Sequence, residues 1–382
     1  MRALPVLRKR AFLALVTVGL CAGCGTAPAG TPPQRLALLL DASANEVQPG
    51  LTRGVGDLIE QAIASDDAVL DVVVGGEQTG GPIDLVPRRG SQVEHAEQRR
   101  GELTREIVAT VRATVRDAAS TSGRVDTLGQ LTWLARQPGE MTGILVGSGL
   151  QSVGPLAINA LGWDAVGSDP VLEQADLPDL TGKTVVFSGI GDTAGDQPML
   201  PERLRERLAE HWLRLCERAG GTCSVDDEPL TGAPRSTVPA PIVPVPEDPP
   251  IIMPTRANPT PTVTELPSDL FFAPDSAELL PEARDLLGEV AGRLPAGAVL
   301  TLDGRTASVG PAEGARALSL SRAEACRAAL TAAGVPASTI TVRGLGFDAP
   351  LDPDLDAQGR LIPAAAQRNR SVTLTVAIGD QP

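Results

Sequence analysis

Two periods alternate along the C-terminal part of the chain. Ala283, Leu286, Leu287, Val290, Ala291 and Leu294 recur at the three- and four-residue spacing of one buried helical face. Pro281 opens that helix, where the backbone N–H has no partner to lose. A second helix places Leu318, Ser319, Arg322, Ala323, Ala325, Cys326, Ala329 and Leu330 on its inner side. Val299 to Leu302 and Ile340 to Arg343 read as short strands. Val372, Leu374, Val376 and Ile378 alternate with small or polar residues, as in a half-buried strand. The pattern predicts an α+β domain over residues 267–382.

The N-terminal half alternates differently. Arg35 to Leu40, Val69 to Val74, Ile144 to Val146 and Val185 to Phe187 are apolar runs, and the second is almost continuous, like a strand covered on both faces. Helical spacing follows Pro49 through Leu51, Val55, Leu58, Ile59, Ala62 and Ile63. It recurs at Leu103, Ile107, Val111 and Val115, at Leu128, Leu131 and Leu134, and at Leu204, Leu208, Trp212, Leu215 and Ala219. Cys223 to Val225 reads as a last strand. Strands alternating with helices predict an α/β domain with a mainly parallel sheet over residues 35–230. Residues 231–266 are dense in proline. Such a linker is stiff and extended at about 3.1 Å per residue, so ~35 residues reach on the order of 100 Å.

The first residues read as a processing signal. Arg8-Lys9-Arg10 precedes an apolar run, Ala11 to Leu20, that is too short to span a bilayer. The run ends Leu20-Cys21-Ala22-Gly23-Cys24 and resembles a bacterial lipobox. That resemblance implies a signal peptide over residues 1–23 and acylation of Cys24, palmitate included, with residues 24–34 as a tether. Acyl chains contribute about 0.8 kcal/mol per buried CH₂, and several together anchor a protein to a lipid bilayer.

Five short motifs follow one another in the last ~110 residues: Ser276-Ala277-x-Leu279, Gly304-x-Thr306, Leu318-Ser319-x-x-Arg322-Ala323, Gly344-x-Gly346 and Asn369-Arg370. In this order they resemble the OmpA-like peptidoglycan-binding domain, also found in MotB and Pal proteins. The resemblance implies binding of the diaminopimelate stem of peptidoglycan, grasped chiefly by an Asp and an Arg. The Arg position falls on Arg322, whose guanidinium can take a carboxylate bidentately. Thr306, Asn369 and Arg370 complete the candidate site. The Asp position falls on Ala307, which leaves Asp303 as the nearby acid. The competing role for Arg322 is a structural ion pair, with Asn369 and Arg370 bracing the same loop.

The N-terminal half resembles a von Willebrand factor A domain through Asp41-x-Ser43-x-Asn45, Thr127 and Gly147-Ser148-Gly149. That family holds Mg²⁺ with hydroxyl and carboxylate oxygens, as a hard cation prefers. Asn45 replaces a Ser and Ser148 an Asp, so the candidate ligands Asp41, Ser43 and Thr127 bring one carboxylate, thin for a divalent ion. No cofactor and no bound metal is expected. Ligands of such sheets favour the C-terminal strand ends, here marked by Asp41, Gly75, Ser148 and Gly189.

Composition narrows the partners. Aromatic residues are 2% of the chain and Tyr is absent, so the cores must be built of Leu, Val, Ala and Ile. The formal charge is −14, and the cations Arg2, Arg8, Lys9 and Arg10 lie in the segment expected to be removed. Phosphate backbones repel such a chain, and nucleic acid is excluded as a partner. Gly189-Ile190-Gly191 is followed by Pro198 and Pro201, which delay the helix a dinucleotide would need. His211 shares an apolar stripe with Leu208 and Leu215, whereas His95 lies among Glu94, Glu97 and Gln98. No nucleophile–base set stands out, so the chain is not read as an enzyme. Cys216 and Cys223 are close enough in sequence to form an extracytoplasmic disulfide, leaving Cys326 as a small core residue.

The sequence therefore predicts an acylated, extracytoplasmic envelope protein that docks on peptidoglycan through its C-terminal domain. Its α/β domain would present a rim to an unidentified protein partner. Two other classes compete: a protein-interaction module whose peptidoglycan site is lost through Ala307, and an extracytoplasmic hydrolase working at the α/β rim.

Overall fold

The computed structural model describes residues 34–118, 123–234, 236–247 and 249–379. The signal segment, Cys24 and all of the tether but its last residue lie outside the described residues.

The α/β domain begins with β1 (Gln34–Leu40), α1 (Arg53–Ala64) and β2 (Ala68–Val74). Four two-residue strands follow: β3 (Glu77–Gln78), β4 (Ile83–Asp84), β5 (Arg88–Arg89) and β6 (Gln92–Val93). Then come α2 (Glu97–Arg116), α3 (Thr127–Ala135), β7 (Met141–Val146), α4 (Ile158–Leu161) and α5 (Asp169–Gln174). The half closes with β8 (Lys183–Ser188), α6 (Glu202–Arg218) and β9 (Thr222–Asp226).

Strands β2-β1-β7-β8-β9 lie side by side and all pair in parallel, while β3 and β4 add antiparallel pieces to the β2 edge. Alternation along β1 explains why both faces are covered. Leu36, Leu38 and Leu40 join α1 and α2 residues such as Val55, Ile59, Val111 and Val115 in one core. Ala37 and Leu39 join Leu131, Leu134, Leu204, Leu208 and Trp212 of α3 and α6 in the other. Each fully buried Leu of this kind contributes roughly 1.5–3 kcal/mol. The strand order reverses between β1 and β7, which opens a crevice at their C-terminal ends.

Helix α1 starts at Arg53, not at Pro49, because Thr52 Oγ1 accepts from Val55 N at 3.2 Å and caps it. The small strands β3 to β6 are too short and too exposed to leave a period in the sequence. Cys216 at the end of α6 and Cys223 in β9 are joined as a disulfide.

The proline-rich segment does not behave as a free spacer. Ala44 N donates to Val238 O (3.2 Å), Asn45 Nδ2 to Ala240 O and Pro241 O (each 3.2 Å), and Trp163 Nε1 to Pro244 O (2.8 Å). Val243 is 1% exposed and exchanges two 2.8 Å bonds with the Gln197 side chain. Proline lacks a donor but keeps its carbonyl, so side-chain donors on the domain surface can strap the segment down. Its restricted backbone also loses little entropy on docking. The expected reach of a stiff rod is thereby corrected to a strap across the α/β domain.

The C-terminal domain comprises β10 (Thr262–Pro267), α7 (Ser268–Phe271), α8 (Pro281–Arg293), β11 (Ala298–Gly304), α9 (Ala312–Ala332), β12 (Ile340–Gly344), α10 (Pro363–Asn369) and β13 (Ser371–Ile378). The sheet order is β10-β13-β11-β12, with β11 and β12 parallel and β13 antiparallel to both its neighbours. Strand β10 begins inside the segment assigned to the linker, where prolines mask its alternation. Leu287 and Val290 of α8 and Ala323, Cys326 and Leu330 of α9 pack on Leu300, Leu302, Leu374 and Val376.

Candidate functional site

The site is set by how closely α9 lies on the ends of β11 and β12. A Cβ on Gly304 would stand 1.9 Å from Ser319 O, and one on Gly344 would stand 2.5 Å from Leu320 Cβ. Only glycine permits that approach, which gives both glycine motifs a physical reason. Ser319 Oγ then accepts from Gly346 N at 3.0 Å and ties the second loop to the helix. Arg322 lies one turn further along α9.

Arg322 is 1% exposed. Its Nε donates to Ser276 O at 2.8 Å, and its guanidinium carbon lies 5.3 Å from the centre of the Phe272 ring. Its Nη2 donates to Asp164 Oδ1 at 2.6 Å, and that carboxylate belongs to the α/β domain. Nη1 has no hydrogen-bond partner among the described residues, and neither has the buried hydroxyl of Thr306. Ala307 is buried and supplies no acid.

The other candidates divide. Asn369 braces a loop: its Oδ1 accepts from Leu351 N (2.8 Å) and Asp352 N (3.2 Å), and its Nδ2 donates to Asp352 O (2.8 Å). Arg370 instead crosses to the α/β domain, where Nη2 donates to Ala160 O at 3.2 Å. Asp303 turns away from the site and takes Arg343 through two 2.6 Å bonds, so it does not replace the acid missing at Ala307. A cleft of about 430 Å³ runs beside these groups, lined by Asp164, Asp275, Thr306, Ala307 and Arg370 together with apolar side chains. Nearby Asp269 is fully buried, and burial raises its carboxyl to about 6, with the charge of Asp164 adding to the effect.

A second cluster lies in the crevice between β1 and β7. Asp41, Ser43, Thr127 and Ser148 are all buried there. The carboxylate of Glu46, which the sequence did not single out, accepts from Ser148 N at 2.6 Å and Ser148 Oγ at 2.5 Å. Burial raises Glu46 to about 7 against the opposing hydrogen bonds of Ser148. Burial, then repulsion from Glu46, raises Asp41 well above the ordinary carboxylate range. Asp41 Oδ1 and Thr127 Oγ1 have no partner among the described residues. Among those residues, no three His, Cys, Asp or Glu side chains are grouped so as to hold a metal ion. The strap residues Val238, Ala240 and Pro241 cover the turn that carries Ala44 and Asn45. Gly167 N donates to His211 Nδ1 at 3.0 Å, and burial lowers this imidazole to about 4.

Comparison with known proteins places the C-terminal domain. Residues 271–360 match the OmpA family. No curated protein matches the chain. Among solved structures, the periplasmic domain of Helicobacter pylori MotB is 18% identical over 31% of this chain and 76% of that chain, with a TM-score of 0.26. The cell wall anchor of the T6SS from Pseudomonas aeruginosa is 23% identical over 31% and 82%, with a TM-score of 0.26. The peptidoglycan-associated lipoprotein from Burkholderia pseudomallei is 25% identical over 28% and 86%, with a TM-score of 0.23. The C-terminal domain is OmpA-like, and the N-terminal domain is α/β with a mostly parallel sheet.

Proposed function

We propose that this chain is a cell-envelope lipoprotein, anchored through acylated Cys24, that binds peptidoglycan non-covalently at Arg322. Thr306 would contribute a hydroxyl, Arg370 a second cation, and Asn369 the shape of the flanking loop. The α/β domain serves as an interaction domain for another protein and carries no catalytic role. No described helix is long and apolar enough to cross a membrane.

The single observation behind this is the state of Arg322. It lies inside the matched segment, at the position where the resemblance implies the family's Arg, and its guanidinium already holds a carboxylate at 2.6 Å. A diaminopimelate stem offers the same chemical group. The test is co-sedimentation of the full chain with diaminopimelate-type peptidoglycan, comparing wild type with Arg322→Ala and Arg322→Lys. Wild type should pellet. Arg322→Ala should lose about ten- to a hundredfold in affinity, the worth of a charged hydrogen bond. Equal pelleting by folded variants would refute the assignment. A second reading keeps the fold as an interaction module, and Ala307 with the internally engaged Arg322 favours it.

A further inference from the structure

We propose that Asp164 is a built-in competitor for the carboxylate site of the OmpA-like domain, so that docking of the two domains and capture of an external carboxylate at Arg322 exclude each other. This deepens, and rests on, the assignment of Arg322 as the ligand-binding residue.

Three contacts seat the turn that carries Asp164. Its carboxylate meets Arg322 Nη2 at 2.6 Å, its backbone carbonyl accepts from Asp275 N at 2.9 Å, and Ala160 O accepts from Arg370 Nη2 at 3.2 Å. The turn is itself fixed from below. Trp163 is 0% exposed and donates its indole N–H to Pro244 O at 2.8 Å, so the strap helps to hold Asp164 in place. With this arrangement Arg322 is 1% exposed, and no outside carboxylate can reach its Nη2 without removing Asp164.

The occupation is also incomplete, which makes it reversible. Asp164 takes one of the guanidinium's terminal nitrogens, while Nη1 is left without a partner among the described residues. A carboxylate taking both nitrogens would gain the paired geometry that Asp164 forgoes. The cleft of about 430 Å³ beside Asp164 gives such a ligand a place to enter, and Thr306, whose buried hydroxyl has no partner among the described residues, is among the residues lining it. An attached competitor acts at high effective concentration, and a ligand that needs the undocked state binds with its affinity reduced by that state's fraction.

Gly162 offers a way to undock the domains without touching either charge. Its φ is +81°, and a Cβ there would stand 2.5 Å from Arg370 Nη1. Gly162→Ala should therefore strain the turn through its positive φ and displace the Arg370 guanidinium that bonds Ala160 O, loosening the docked turn while leaving Asp164 and Arg322 intact.

The test is a calorimetric titration of the full chain with a soluble diaminopimelate-containing muropeptide, with melting curves to confirm that each variant is folded. Asp164→Ala and Gly162→Ala should each bind about tenfold or more tightly than wild type, and Asp164→Ala/Arg322→Ala should lose that gain. If wild type binds through Arg322 but Asp164→Ala binds equally, the competition is refuted and the site assignment stands. If Asp164→Ala binds more weakly, Asp164 is instead the acid that Ala307 lacks, and competition is again refuted. If no variant binds, the peptidoglycan assignment fails and the competition fails with it.

Discussion

Arg322 and Asp164 are 158 positions apart in sequence and 2.6 Å apart in space, across the boundary between two domains. Arg370 and Ala160 make a second bond across the same boundary, and Asp275 and Asp164 a third. A buried ion pair is not in itself a large net source of stability, but removing one partner strands the other.

Loss of this pair should therefore uncouple the domains before it unfolds them. In scanning calorimetry the wild-type chain is expected to melt in one transition, and Asp164→Ala in two resolved transitions. A single transition at the wild-type temperature would show that the pair carries no coupling.

The crevice cluster gives a pH dependence of known sign. Glu46 is held at about 7 against an ordinary 4.5, so the folded state retains its proton longer than the unfolded chain. The stability this gives is full below about 4.5 and is lost as pH rises through about 7. Relative to Glu46→Gln, wild type should lose on the order of 3 kcal/mol between pH 4.5 and 8, at about 1.4 kcal/mol per pH unit of displacement. Denaturant titrations of both proteins across that range check it, and a pH-independent difference would contradict it.

The cysteines should separate by environment. Burial pushes the Cys326 thiol up to about 12, so it should react with a thiol reagent only as the protein opens. The Cys216–Cys223 bridge closes a short loop, and Cys216→Ala/Cys223→Ala should cost on the order of 2 kcal/mol. Thiol titration of the native oxidised chain should count no fast-reacting thiol at position 326.

Much of the fold was legible in the sequence because its main elements are long and periodic. The alternation of β1 and the stripes of α1, α2, α6 and α9 each report a face that is buried. What escaped was structure made by few residues or by polar atoms. The strands β3 to β6 have two residues each, and β10 is hidden among prolines. The strap has no sequence signal of its own, because stiffness says nothing about what the carbonyls will meet. Arg322 was found from the motif around it. Asp164 could not be, since its role depends on docking between domains, and no local pattern marks a turn that will meet another domain. Glu46 likewise lies outside the motif beginning at Asp41, and its burial against Ser148 is visible only in three dimensions.

Membrane attachment is tested separately from wall binding. Cys24→Ala should release the chain from membranes into the soluble fraction after a salt wash. Retention of that variant on membranes would contradict the acyl anchor.

The most direct test of the central claim compares the full chain with its Arg322→Ala and Ala307→Asp variants in a titration against diaminopimelate-type muropeptide. Arg322→Ala should nearly abolish binding, while Ala307→Asp should strengthen it by offering the ligand's ammonium a carboxylate. Identical binding by wild type and Arg322→Ala, with a gain only in Ala307→Asp, would contradict a wall-binding role for Arg322 and leave the domain as an interaction module.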